Sequence, residues 1–217
     1  MTFAELLKAE FLPYGELTGQ QLGQLESHYD LLVRWNKRMN LTRIEKLEDA
    51  VRYHYAESLW LGSKISGGVK SVIDVGSGPG FPGIPVAILR PELQVTLLES
   101  NQRKAGFLRE ATIDLPNVHV QCSRLQDLPA GTQFDLVIAR AVTPTEVLAA
   151  NLSTHWMLLV SASDVPPGSD STKSPWGDER VLAVPRGTLC VPWNTTLRCG
   201  TRVPRGTFHG NSLVVKP

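Results

Sequence analysis

Residues 74–83 read Asp74-Val75-Gly76-Ser77-Gly78-Pro79-Gly80-Phe81-Pro82-Gly83 and follow directly on the apolar pair Val72-Ile73. A buried strand that runs into so many glycines must end in a turn too tight for side chains and then start a helix. Glycine there lets backbone N–H groups approach a ligand closely and supplies positive φ where the turn requires it. A second apolar run, Val95-Thr96-Leu97-Leu98, ends in an acid, Glu99. An acid about 20 residues beyond a glycine turn suits a ribose, because one carboxylate can accept hydrogen bonds from both hydroxyls of a diol. Strand, glycine turn, helix, strand and acid together predict a nucleoside-binding unit, with Gly76, Gly78, Gly80 and Glu99 at its ligand.

The dinucleotide pattern G-x-G-x-x-G is present as Gly78, Gly80 and Gly83, but its register is wrong. The glycine that follows the strand at once is Gly76, and the sixth position counted from it is Phe81. Pro79, Pro82 and Pro85 also remove N–H donors where a pyrophosphate would need them. A turn so poor in donors suits a ligand without phosphates. S-adenosylmethionine, an adenosine joined to a sulfonium and an amino acid, is the first reading. A nicotinamide or flavin cofactor and a purely structural glycine turn are the alternatives.

Beyond residue 70 the sequence alternates between short apolar runs and helical periodicity. Strands are predicted at 70–75, 94–98, 118–122, 134–139 and 156–160, with helices near 83–90, 101–114 and 144–151. This predicts an α/β, Rossmann-like fold: a mostly parallel sheet with helices on both faces and ligands at the carboxyl ends of the strands. Gly76, Glu99, Cys122-Ser123 and Arg140 all fall at such ends. Residues 3–65 read as helical. Thr18 with Gln21 forms a capping box, Leu17 with Leu22 a hydrophobic staple, and the helix is expected to end near Asn40. A second helix fits 47–62. The chain thus divides into an N-terminal helical segment, 1–66, packed on the core, and a larger domain, 67–217. Its C-terminal part, 163–217, is harder to read. Residues 163–179 predict a long mobile loop, and 181–184, 188–191, 195–199 and 213–215 short strands.

An apolar content of 42% supports a folded core, and a formal charge of +1 excludes a strongly basic chain but not a local basic face. Arg34, Lys37, Arg38, Arg43 and Lys46 gather around Asn40-Leu41-Thr42 with only Glu45 opposed. Arg34, Lys37, Arg38, Asn40, Thr42 and Arg43 are the candidate RNA-binding residues, and a solvated helix face is the alternative. Arg103, Lys104 and Arg109, then Arg186, Arg198, Arg202 and Arg205, form further basic groups. Cys122, Cys190, Cys199 and the five histidines lack the spacing of metal ligands. No metal site is expected, and a reduced cytoplasmic chain is the simplest reading. No run approaches ~20 apolar residues, so no membrane span is predicted. A monomer is expected.

Two long motifs carry a family resemblance. Trp35-Asn36-Lys37-Arg38-Met39-Asn40-Leu41-Thr42, followed by Asp74 through Pro85, resembles the bacterial small-subunit ribosomal RNA guanine-N7 methyltransferases, also called the glucose-inhibited division protein B family. Leu97-Leu98-Glu99-Ser100, Lys104, Phe107-Leu108, Phe134-Asp135 and Ala139-Arg140-Ala141 continue the same order, so the resemblance spans roughly residues 20–150. It implies S-adenosylmethionine-dependent methylation of a guanine N7, with 16S ribosomal RNA or the small ribosomal subunit as partner. It also implies cofactor contacts from Gly76, Phe81, Leu125, Gln126 and Arg140. Gln126 stands where the family has an acid, with Asp127 beside it. Leu159-Val160-Ser161-Ala162 stands where the family carries a lysine-glycine pair, and the next lysine is Lys173.

Guanine N7 has a lone pair and no proton, so its methylation needs no general base. The enzyme must supply in-line orientation and a suitable electrostatic environment. Arg140 is the expected catalytic residue, fixing cofactor or guanine through its fork of donors; a rim salt bridge is the alternative. Phe81 packs beside the cofactor or is a core aromatic. His54 is a helix-packing residue or an RNA contact. Three other functions compete: a small-molecule methyltransferase, a cofactor-binding ribosome-associated protein without turnover, and an oxidoreductase.

Overall fold

The computed structural model describes residues 1–43, 46–177 and 179–187. Its centre is strand β1 (Ser71–Val75), where every residue after Ser71 is buried. Parallel strands covered on both faces read as near-continuous apolar runs, and β1 has neighbours on both edges. On one side lie β2 (Gln94–Leu98) and β3 (Val118–Gln121); on the other, β4 (Leu136–Arg140) and β5 (Trp156–Ser161). These five strands are mutually parallel. Two more, β6 (Ser169–Lys173) and β7 (Arg180–Pro185), complete the order β3-β2-β1-β4-β5-β7-β6, with β7 antiparallel to both its neighbours. The strand order reverses between β1 and β4, and a crevice opens at their carboxyl ends, where such sheets bind ligands. The Rossmann-like α/β class expected from the sequence is present.

One apolar layer packs the sheet against helix α5 (Gly83–Leu89), helix α6 (Gln102–Ala111) and the N-terminal helices; a second lies on the opposite face around Val147 of helix α7 (Pro144–Ala149). Helices α1 (Phe3–Phe11) and α2 (Gly19–Met39) each start with a capping box, at Thr2/Glu5 and Thr18/Gln21. Gln21 does a second job: its amide donates to the carbonyls of Ile88 and Leu89 at the end of α5. Helix α2 stops at Asn40, whose φ of 40° is the left-handed turn that short polar side chains tolerate. The expected second helix is interrupted. Helix α3 (Leu47–Ala50) passes through a π-helical turn, Val51–Ala56, into helix α4 (Glu57–Ser63).

The N-terminal helices are fastened to the glycine turn by one buried imidazole. His28 on α2 lies 2.8 Å from the Tyr55 hydroxyl through Nδ1 and 3.0 Å from the Pro79 carbonyl through Nε2. A carbonyl only accepts, so Nε2 carries a proton; burial keeps the ring neutral, and Nδ1 then accepts from Tyr55.

The described residues of 163–179 are not the mobile loop expected. A short 3₁₀ turn, Ala162–Asp164, leads into them, and they contain β6, an edge strand whose side chains are polar and mostly exposed. Ser174 and Trp176 beyond it are hydrogen-bonded to Glu57 and Glu10. The strand expected at 181–184 is β7. The short strands read at 188–191, 195–199 and 213–215 lie outside the described residues.

Burial lowers the His28 pKa from 6.5 to about 4. The unfolded chain then takes up the proton first on acidification, so stability is lost as pH falls through that interval, by about 3 kcal/mol in all. His28→Gln cannot titrate. Its destabilisation relative to wild type is therefore expected to be largest at pH 7.5 and to shrink by about 2–3 kcal/mol at pH 4.5 in urea denaturation. An equal difference at both pH values would refute the neutral, buried state of His28.

Candidate functional site

The glycine turn is stitched to its neighbours by backbone bonds. Gly76 and Ser77 both donate to the Leu98 carbonyl, at 2.9 and 3.1 Å. Glu99 then bridges the turn to the next helix. One carboxylate oxygen accepts the Gly78 N–H at 2.9 Å, and the other accepts the Asn101 N–H at 2.8 Å, beside the Asn101 side chain that caps α6. Each oxygen keeps acceptor capacity for a further donor. Gly76 sits at φ 71°, and a Cβ there would come within 2.7 Å of Val142 Cγ1. Beside it lies a pocket of about 240 Å³, lined by Gly76, Leu98, Ser100, Arg124, Leu125 and Gln126 among others.

On the other side of Val142 a larger cleft of about 1530 Å³ opens at the carboxyl ends of β4 and β5. Arg140 is on its wall, with a side chain only 10% exposed. It donates to the Tyr53 carbonyl at 2.7 Å, within the π-helical turn, and its guanidinium lies 5.1 Å over the Phe81 ring. Burial lowers its pKa to about 10, which leaves it charged at neutral pH. Glu57, also on this wall and buried, pairs with Arg180 at 2.5 Å and accepts the Ser174 hydroxyl at 2.9 Å. His54 stacks on Phe81 with centroids 4.6 Å apart and is hydrogen-bonded to Thr42. Burial, then the charges of Arg140 and Arg180, hold it well below its usual pKa, so it is neutral.

The expected cofactor residues divide between these places. Gly76, Leu125 and Gln126 come together in the small pocket, with Gly78 and Glu99 joined at its margin and Asp127 in the following 3₁₀ turn. Gly80 and Phe81 do not join them. A Cβ on Gly80 would strike the Ile84 side chain at 2.4 Å and approach His28, so this glycine lets helix α2 close on the turn. Phe81 is a core aromatic, 2% exposed, among His28, His54 and Tyr55. Its side chain is too large and apolar to sit anywhere but in that layer once α2 is packed. Arg140 lines the large cleft and not the small pocket.

The basic segment is more mixed. Arg34, Lys37, Arg38 and Arg43 are exposed. Asn40 caps α2, and Thr42 exchanges two hydrogen bonds with the Asn36 amide while bonding His54. Both therefore have structural work. Trp35 packs on Phe107, which joins the last turns of α2 to α6, the helix that also carries Arg103 and Lys104. Arg186 is exposed just beyond β7, and Arg198, Arg202 and Arg205 lie outside the described residues. Sequence reasoning missed His28, Glu57, Ser174 and Arg180. No local signal marks them, because their partners are 27 to 123 residues away.

A family model for rRNA small subunit methyltransferase G matches residues 21–159. The chain belongs to this family. A ribosomal RNA small subunit methyltransferase G from Chromobacterium violaceum is 45% identical over 128 residues, which is 58% of this chain and 61% of that protein. One from Nitrosomonas europaea is 41% identical over 131 residues, 59% of this chain and 60% of that one. One from Xanthomonas oryzae pv. oryzae is 40% identical over 161 residues, 72% and 71% of the two chains. The chain thus spans about three fifths of the length of the first two relatives. Among the described residues no cluster of His, Cys, Asp or Glu could hold a metal ion, and no helix is long and apolar enough to cross a membrane.

Asp74, on β1 under the turn, is fully buried. One oxygen accepts the Gly83 N–H at 2.9 Å, and the other has no partner among the described residues. Burial pushes its carboxyl up from 3.8 to about 7. A raised folded-state pKa contributes stability that is complete below the unfolded value and is lost as pH rises towards 7. D74N does not titrate, so its stability relative to wild type is expected to improve by about 3 kcal/mol between pH 4.5 and pH 8. Parallel pH curves for the two proteins would show that Asp74 is ionised throughout.

Proposed function

We propose that this protein transfers a methyl group from S-adenosylmethionine to N7 of a guanine in 16S ribosomal RNA. One observation carries the reading: a nucleoside-sized pocket and a large charged cleft lie on two sides of the Gly76–Val142 contact. Membership of the rRNA small subunit methyltransferase G family supports it.

The residues present fit the cofactor. Glu99 has acceptor capacity left for a ribose diol, and Leu125 and Gln126 offer an apolar and a polar side chain to an adenine. The pocket floor is a glycine whose Cβ would already crowd its neighbour. When bound, the cofactor supplies an activated methyl on a sulfonium. The protein's own contribution is placement. Gly76, without a side chain, lets Val142 pack closely against the turn between pocket and cleft. Arg140, tied to Tyr53 and packed over Phe81, presents a fixed charge at the cleft wall. Guanine N7 gives up no proton, so nothing in the cleft has to act as a base. The pH–rate profile is therefore expected to carry no essential general-base limb.

The experiment offers labelled S-adenosylmethionine together with undermethylated small subunits, free 16S RNA or a metabolite extract. Label is expected in RNA as 7-methylguanine. Label only among metabolites, or none at all, overturns the proposal.

Two variants probe the site itself. Gly76→Val, which adds a branched side chain against Val142, is expected to abolish cofactor binding in calorimetry; wild-type affinity would place the cofactor elsewhere. Arg140→Ala is expected to lower methyl transfer at least tenfold in a protein that remains folded, with little rescue by Arg140→Lys, since a point charge cannot reproduce the guanidinium fork. Full activity of Arg140→Ala would make Arg140 a structural residue only.

A further inference from the structure

Two arginines share one carboxylate on the wall of the large cleft. Glu57 Oε2 lies 2.5 Å from Arg180 and 3.9 Å from Arg140. Glu57 therefore divides its acceptor oxygen unequally between two guanidiniums, bonding Arg180 closely and Arg140 only at long range. Asp164 and Glu179 also line the cleft, but among the described residues neither is ion-paired with these arginines, and Asp164 already accepts from the hydroxyls of Ser161 and Ser163. What the cleft wall offers an anionic ligand is therefore the set of donors that its arginines do not spend on carboxylates.

The two arginines are not equivalent. Arg140 is nearly enclosed, whereas the Arg180 side chain is 39% exposed. Arg180 spends one nitrogen on Glu57 and keeps the rest of its planar fork, whose geometry matches two phosphate oxygens. Glu57 fixes the direction of that fork. The sheet places it usefully: Arg180 pairs with Ser161 at the carboxyl end of β5, a strand end with no cation of its own. The half-buried aromatic residues Tyr53 and Trp176 line the same cleft, and unpaired bases commonly stack on such side chains.

We infer that Arg180 binds a phosphodiester group of the RNA strand whose nucleotide enters the large cleft, and that Glu57 positions it. The inference rests on the RNA methyl-transfer reading above and adds a contact that sequence reasoning did not assign.

The test measures affinity of the full chain for in vitro-transcribed 16S RNA over a salt series, alongside S-adenosylmethionine affinity by calorimetry. Arg180→Gln is expected to weaken RNA binding about tenfold and to reduce the slope of log affinity against log salt by about one unit. Arg180→Lys should keep most of the slope, and cofactor affinity should not change in either. The pair E57Q/R180Q, which leaves no buried carboxylate unpaired, should show the same loss as Arg180→Gln. Wild-type RNA affinity and slope in the double variant would mean that an orphaned Glu57 caused the effect, and would overturn the inference. So would an unchanged slope in Arg180→Gln, or a loss of cofactor affinity with RNA binding intact, which would identify the anion as the cofactor's own carboxylate. If wild type puts no label into 16S RNA while its salt slope still depends on Arg180, the contact stands and the methyl-transfer reading falls.

Discussion

The structure depends on a neutral imidazole in a dry place. His28 accepts from Tyr55 and donates to the Pro79 carbonyl, so three segments distant in sequence meet at one ring: helix α2, the π-helical turn and the glycine turn. Protonation would turn the Tyr55 hydroxyl from donor to acceptor and would place a charge in a fully buried site, and burial is what opposes it. Around it Phe81, Tyr55 and Phe107 pack edge-on or tilted, which fixes the angle at which the helices meet the sheet. The glycine turn is therefore braced from behind by packing and from in front by Glu99. A ligand that needs close backbone approach meets a surface that does not have to be organised on arrival.

Charge is arranged around the same joint with little waste. Glu57, Arg140 and Arg180 form one cluster at the cleft, and Asp74 lies beneath it in a site that disfavours its ionised form. His54 stays uncharged beside two arginines. Both signs of charge meet at the cleft, where Arg140 and Arg180 stand beside Glu57, Asp164 and Glu179.

Much of this was legible in the sequence because local rules govern it. The apolar runs that became β1, β4 and β5 are buried along most of their length, so burial itself writes them into composition. Thr18 and Gln21 announced the start of α2, and Asn40 its end, because helix termini need specific partners. What escaped has no local signature. Ser169–Lys173 is a strand built of polar residues, which at a sheet edge face water and carry a lysine that discourages further pairing. Gly80 and Phe81 read as ligand contacts because they sit in a ligand motif; packing against α2 turned them inward. Glu57 looked like any acid on an amphipathic helix until β7 arrived beside it.

That last contact has a consequence for how the molecule is made. Glu57 is sealed by Arg180 and Ser174, and Glu10 by Trp176, all from the far end of the described chain. Chains are synthesised at about 5–20 residues per second, so the 123 residues between Glu57 and Arg180 correspond to roughly 6–25 s on the ribosome. Through that interval the helices can gather and β1 can pair with β2, but the carboxylate at the heart of the cleft must stay in water. Among the described residues the segment that carries β6 and β7 closes the cleft, so its wall is incomplete in a nascent chain until that segment has emerged.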